Sequence, residues 1–254
     1  MIQVLKQRKM RRLSQKDQAP IQIENKHPLA IRWFHWINFP VMLVMVWSGI
    51  LIYWAAAPDK GLYTITLFGH EFFRFFPSGF YAPGANEEKN IPGIYTLSQR
   101  LAEGMSWHFL FTWIFTINGV LYVLYTAISG EWRHILPRRS SFSEALHVVL
   151  HDLHLRKDPP PRRKFNGAQQ FAYTGVVLMG IGSLVTGIAI YKPIQASRFT
   201  QLLGGYEVAR FFHFWLMMLF VLFFTVHVFQ VIRTGWNNFR SMVTGYEIVE
   251  GEKR

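Results

Sequence analysis

The chain contains no cysteine. That absence excludes disulfides, thiolate-ligated iron–sulfur clusters and covalently attached c-type haem. Acidic residues are also scarce, 15 Asp and Glu against 27 Lys and Arg, giving a formal net charge of +12 at pH 7. A cationic excess serves nucleic acid binding when it gathers on one face. Here the cations flank apolar stretches, the distribution that sets membrane topology, so the expected partner is membrane lipid and no nucleic acid is expected. The first 26 residues lack the apolar core of about 7–15 residues that a cleavable signal peptide needs. Lys6, Arg8, Lys9, Arg11, Arg12, Lys16 and Lys26 stand there against Asp17 and Glu24 alone. Residues 1–28 therefore read as a basic cytoplasmic tail.

What the chain has in abundance is apolar sequence. Half of its 254 residues are hydrophobic, which suits one membrane domain of about four helices rather than two soluble domains. The expected fold is all-α, an integral membrane four-helix bundle. Its spans lie at about residues 29–57, 105–128, 168–191 and 210–233, followed by a second cytoplasmic tail at 234–254. Pro40 is expected to bend the first span. The connection 58–104 holds a Phe-dense piece, residues 67–81, that reads as a short interfacial helix or a docking surface, or as a loop packed over the bundle end. The connection 129–167 is strongly basic and carries an expected surface helix at 141–155. By the positive-inside rule, that connection and both termini are expected to be cytoplasmic in a multi-pass membrane protein.

The organising stretch is residues 210–233. Arg closes it at both ends, and only His213, Thr225, His227 and Gln230 interrupt its apolar and aromatic interior. As a helix it is roughly 36 Å long, enough for a hydrocarbon core of about 30 Å. His213 and His227 are 14 residues apart, which places them on one helix face with a rise of roughly 21 Å between them. Ionisable side chains at membrane depth mark function. Two on one face suggest a helix that gives one axial ligand to each of two stacked haems, provided other spans supply partners at matching depth. Topology selects those partners. His35 enters the first span from the cytoplasmic side and matches His227; His108 enters the second from outside and matches His213. Each pair is expected to hold one bis-His b-type haem through its iron. Gly49 lies 14 residues after His35 and Gly119 lies 11 after His108. Each falls near the level of the opposite haem, where a small residue admits a macrocycle or serves ordinary helix packing. His147, His151 and His154 follow an i, i+4, i+7 pattern on the expected surface helix, a weak metal pattern without a carboxylate cluster.

These residues resemble the four-helix di-haem cytochrome b family. It includes bacterial cytochrome b561 and the membrane subunits of formate dehydrogenase-N, nickel–iron hydrogenases and thiosulfate reductase. The resemblance covers most of residues 28–245. Its marks are Arg32-Trp33-Phe34-His35-Trp36, Trp107-His108-Phe109 and the His213/His227 spacing. Asn118-Gly119 with Tyr122 and Tyr125, and Gly204-Gly205 before Ala209-Arg210, resemble the branch found beside molybdopterin oxidoreductases. The resemblance implies two haem b, and a quinone as exchangeable substrate at an Asn-x-x-Gln element that here reads Asn166-Gly167-Ala168-Gln169. From the residues alone, Asn166 is equally a helix N-cap. Arg32, Arg100 and Arg210 are the arginines placed to neutralise haem propionates, or else to anchor spans by snorkelling.

The function this implies is a membrane di-haem cytochrome b subunit. It would pass electrons between an extracytoplasmic redox partner, of molybdopterin or hydrogenase type, and the membrane quinone pool. One alternative is a self-sufficient cytochrome b561-type quinone oxidoreductase acting on a small redox molecule, which would not need such long connections. Another is a haem-free transporter or scaffold.

Overall fold

The computed structural model describes residues 21–55, 64–74, 100–158 and 165–250. Four of its helices are long and apolar enough to cross a membrane: α1 (Leu29–Ala55), α2 (Leu101–Ser129), α5 (Gly167–Tyr191) and α7 (Tyr206–Thr234). The protein is an all-α integral membrane protein at this level, as the apolar runs predict. Their lipid side is evident from exposure: Trp113, Ile128, Phe229 and Ile232 are all exposed. Such residues would be costly on a soluble surface and are at home in hydrocarbon. The spans begin and end within a few residues of their expected limits, with residues 56 and 57 outside the described set. Pro40 lies inside α1, which continues through it.

Between the spans lie short elements: α3 (Trp132–Ile135), α4 (Ser141–Asp152) and α6 (Ser197–Leu202). The expected surface helix ends at Asp152 rather than 155. His154 follows it with φ 61°, a left-handed residue that terminates the helix. The histidine pattern of residues 147–154 is therefore split between a helix and the turn after it. Among the described residues no cluster of three metal-ligating side chains forms.

The chain divides into two compact units. One comprises Met1–His35 with Val226–Arg254. In it β1 (Ile21–Asn25) pairs antiparallel with β4 (Tyr246–Glu250), from Ile21 opposite Glu250 to Asn25 opposite Tyr246. The sequence reading treats these stretches as ends of two separate tails. Their strand signal is the alternation in Ile-Gln-Ile-Glu and Tyr-Glu-Ile-Val-Glu, too short to stand out alone but self-consistent once paired. Helix α8 (Trp236–Thr244) precedes β4. Lys26 Nζ donates to Asn238 Oδ1 at 3.0 Å and to Glu247 Oε1 at 2.9 Å. Asn237 brackets Ile248, accepting from its N–H at 3.1 Å and donating to its carbonyl at 2.8 Å.

The other unit, Trp36–Thr225, holds most of the four spans. Here residues 67–74 correct the expected interfacial helix. Strand β2 (Thr64–Leu67) turns through Phe68 and Gly69 into β3 (His70–Arg74). Phe68 and Gly69 have φ of 51° and 78°, the double left-handed geometry of a tight hairpin turn. The β-branched alternation Thr-Ile-Thr-Leu favours a strand over a helix. Phe72 packs on Phe211 with ring centroids 5.2 Å apart, and Phe73 on Phe214 at 5.1 Å. Residues 75–81 lie outside the described set.

Helix packing in this unit depends on close approach. Gly167 opens α5 under α4, and a Cβ there would lie 2.2 Å from the Ser141 carbonyl oxygen, so no side chain fits. Gln170 seals the same junction: it donates to the His134 carbonyl at 2.9 Å and accepts from Ser141 Oγ at 2.5 Å. Asn118 and Asn38, both at membrane depth, satisfy each other through a 2.8 Å bond between α2 and α1.

Candidate functional site

His108 and His213 face each other within the larger unit. Their ring centroids are 6.2 Å apart and the planes lie at 68°. Each imidazole is seated by a hydroxyl from a different span. Ser48 Oγ of α1 is 3.0 Å from His108 Nδ1, and Thr186 Oγ1 of α5 is 3.0 Å from His213 Nδ1. Each hydroxyl residue is followed by glycine. A Cβ on Gly49 would lie 3.6 Å from His108 Cε1, and one on Gly187 would lie 3.3 Å from His213 Cε1. Two spans thus supply the imidazoles and two supply their seats.

With Nδ1 occupied at both rings, Nε2 is the nitrogen left for a metal. Two metal–imidazole bonds of about 2 Å plus the ring radii span roughly 6 Å from centroid to centroid, which matches the observed spacing. The two rings open on an apolar pocket whose lining includes Met42, Met45, Gly49, Phe115, Met217 and Phe220. A largely hydrocarbon cavity with two imidazoles as its facing polar groups fits a flat, apolar, iron-bearing macrocycle.

In the smaller unit His35, near the start of α1, meets His227, near the end of α7. Their ring centroids are 6.0 Å apart with the planes at 58°. This spacing also accommodates a metal between the rings. Both pairs that depth selects in the sequence are therefore adjacent pairs in space.

The arginines are engaged within the protein. Arg32 Nη1 donates to the Val243 carbonyl at 2.5 Å and lies against Gly245, tying the start of α1 to the end of α8. Arg100 donates two hydrogen bonds to the Glu103 carboxylate, both at 2.7 Å, and lies over the Trp47 ring. Arg210 lies over the Tyr53 ring at 5.0 Å, and its carbonyl accepts from Tyr53 Oη at 3.3 Å. Tyr53 and Phe214, which stack edge to face, both line the cavity of the His108–His213 pair.

Asn166 and Gln169 form a reciprocal capping box at the start of α5. Asn166 Oδ1 accepts from the Gln169 N–H at 2.9 Å, and Gln169 Oε1 accepts from the Asn166 N–H at 3.0 Å. The capping reading of Asn166 is what the geometry displays. The box commits both amide oxygens and leaves the two NH₂ groups as donors. A Cβ on Gly119 would meet nothing within 4 Å.

Ser48, Thr186 and Gly187 escape the sequence reading. The available signal is a hydroxyl-glycine dipeptide in two different apolar spans, Ser48-Gly49 and Thr186-Gly187. Either alone is unremarkable in a membrane helix, where small residues are common.

Comparison with known proteins follows the same outline. The family model described as prokaryotic cytochrome b561 matches residues 26–245. Among curated proteins, the chain is 29% identical over 206 residues to the protein of Azospira oryzae (strain ATCC BAA-33 / DSM 13638 / PS) named "Putative protein-methionine-sulfoxide reductase subunit YedZ1". That alignment covers 81% of this chain and 89% of the relative. No solved structure matches.

Proposed function

The chain belongs to the prokaryotic cytochrome b561 family, and from that premise we propose that it is the di-haem membrane subunit linking an extracytoplasmic reductase to the quinone pool. Membership makes it a multi-pass inner-membrane protein that binds haem b and serves transmembrane electron transfer. The number of haems, their ligands and the two redox partners are the proposal. The observation that carries it is the pair of imidazole pairs, with centroids 6.2 and 6.0 Å apart.

His108 with His213, and His35 with His227, are assigned as the residues that would hold haem iron. Haem b, when bound, supplies a one-electron carrier at each pair. The imidazoles would hold the iron, and the apolar walls around His108 and His213 would keep water from it. The basic segment between α2 and α5, with Arg133, Arg138, Arg139, Arg156 and Lys157, supports a cytoplasmic position for that segment and hence for both termini. On that topology the His108–His213 pair is the outer one. Arg210, at the cavity wall through Tyr53, is the strongest of the three arginines as a propionate partner. Arg32 and Arg100 have protein partners that suit a structural anchor equally well.

The relative's printed name favours a reductase partner over a hydrogenase. A molybdopterin enzyme is the partner type that the Asn118-Gly119 and Gly204-Gly205 marks suggest. Electrons would then leave quinol on the inner side and reach the reductase outside. The exposed amide donors of Asn166 and Gln169 are proposed to bind the quinone carbonyl. Gln169→Glu tests them, because Glu preserves the capping box but removes the NH₂ donor. Loss of a hydrogen bond worth about 1 kcal/mol should raise the KM for a soluble quinol roughly fivefold with haem content unchanged; an unchanged KM retires this quinone contact.

The whole reading is tested by a dithionite-reduced minus oxidised spectrum of the purified protein, with haem counted per chain as the pyridine haemochrome. Two b haems per chain are expected. One would remove one of the two ligand pairs. None in a folded preparation would overturn the electron-transfer assignment.

A further inference from the structure

Ser48 and Thr186 repeat one arrangement on two helices. Each is buried, Ser48 at 0% exposure and Thr186 at 7%. Each hydroxyl has an intrahelical acceptor of its own: Ser48 Oγ lies 3.2 Å from the Met45 carbonyl oxygen, and Thr186 Oγ1 lies 2.7 Å from that of Gly182. A hydroxyl has a single hydrogen. With that hydrogen given to the carbonyl, the 3.0 Å contacts to the rings must run from imidazole N–H to hydroxyl oxygen. The hydrogen is thus assigned to Nδ1 on both rings by the hydroxyl oxygen that each one meets.

We infer that Ser48 and Thr186 are positioning residues that fix His108 and His213 as Nδ1–H tautomers, present both Nε2 atoms to one metal, and set the reduction potential of the haem held there. The inference rests on the ligand assignment of the preceding section. An acceptor on Nδ1–H makes the imidazole more basic and a better donor to ferric iron, which holds the potential down. A neutral hydroxyl does this more weakly than a carboxylate, because charge-assisted bonds are roughly twice as strong. The glycine after Thr186 lets the His213 ring lie close to the helix, where a Cβ would stand 3.3 Å from Cε1.

The test uses the full-length protein in detergent or nanodiscs, with Thr186→Val and Ser48→Ala as probes. Val retains the Thr shape and removes the acceptor. The readouts are an optical redox titration of both haems and the low-spin ferric EPR signal, which reports imidazole orientation. In each variant one midpoint should rise and the other should stay. The expected size is a roughly tenfold shift in the reduced-to-oxidised ratio at fixed potential, equivalent to about 59 mV for one electron. Thr186→Ser should return both the midpoint and the EPR signal to those of the parent, which a purely structural role for the residue's bulk would not predict. If Thr186→Val sheds one haem instead, rescue by Thr186→Ser again supports positioning, and failure of that rescue overturns it. Unchanged midpoints and EPR spectra in both Thr186→Val and Ser48→Ala, with two haems bound, overturn the inference while leaving the ligand assignment intact. Retention of both haems by His213→Ala would instead sink the ligand assignment itself.

Discussion

His213→Ala should yield a folded protein with one b haem in place of two, and His108→Ala should yield the same survivor. The two rings face each other across 6.2 Å in one apolar cavity, so either truncation leaves the same iron with a single imidazole. The hydroxyls bonded to the two rings, and that of Tyr53 in the lining, are already engaged. The Ser48 and Thr186 hydroxyls are turned to backbone carbonyls, and the Tyr53 hydroxyl is turned to the carbonyl of Arg210. His35→Ala and His227→Ala should leave the complementary survivor, because those rings meet 6.0 Å apart in the other unit. Quinol-driven reduction of an outside acceptor should fall at least about a hundredfold in all four variants, since even residues that merely orient a ligand cost 10–100-fold and a ligand costs more. Band positions in the reduced spectrum identify the survivor. Different survivors from His108→Ala and His213→Ala would break the pairing and with it the proposed topology.

The legible part of the fold was the part with a long-range period. Four apolar runs gave four spans, and the 14-residue spacing of His213 and His227 placed two histidines on one face of α7 without any tertiary information. Depth then chose the partners, because antiparallel spans of similar length bring residues of equal depth together. What stayed hidden was pairing between short strands, which geometry rather than composition defines. Residues 67–81 read as an interfacial helix, a docking surface or a packed loop because Phe is dense there; the hairpin Thr64–Arg74 depends on left-handed conformations at Phe68 and Gly69 that composition does not reveal. The pairing of Ile21–Asn25 with Tyr246–Glu250 joins segments more than 200 residues apart, and each is too brief to declare itself a strand. Asn166 illustrates the opposite case. Its family-like spacing to Gln169 suggested a ligand contact, while the residues themselves suggested a cap. The structure shows the capping box, which still leaves the amide nitrogens available.

Gly187 should be the glycine at which added bulk is read most directly in haem content. Gly187→Leu is expected to remove the same haem as His213→Ala, although residue 187 donates nothing to the metal. A Cβ there already sits 3.3 Å from His213 Cε1 and 3.7 Å from Nδ1, so the remaining atoms of a leucine have no room unless the ring rotates. Rotation breaks the bond to Thr186 and turns Nε2 away from the cavity. Overpacking of this kind costs about 1–3 kcal/mol in an ordinary core, but here the group forced to move is the ligand, so the loss is read in haem content before it is read in stability. Gly49 supplies the control. Its Cβ would lie 3.6 Å from His108 Cε1, ordinary contact, and replacing a helical glycine with alanine gains up to about 1 kcal/mol in helix propensity. Gly49→Ala should therefore keep both haems and a melting temperature equal to or above that of the parent. Gly187→Ala should fall between, keeping both haems with a perturbed EPR signal from the His213 side alone. Haem per chain and thermal melting across these three variants separate a seat shaped for the imidazole from general tolerance for small residues between membrane helices. Equal haem retention in Gly187→Leu and Gly49→Ala would mean that α5 does not seat His213.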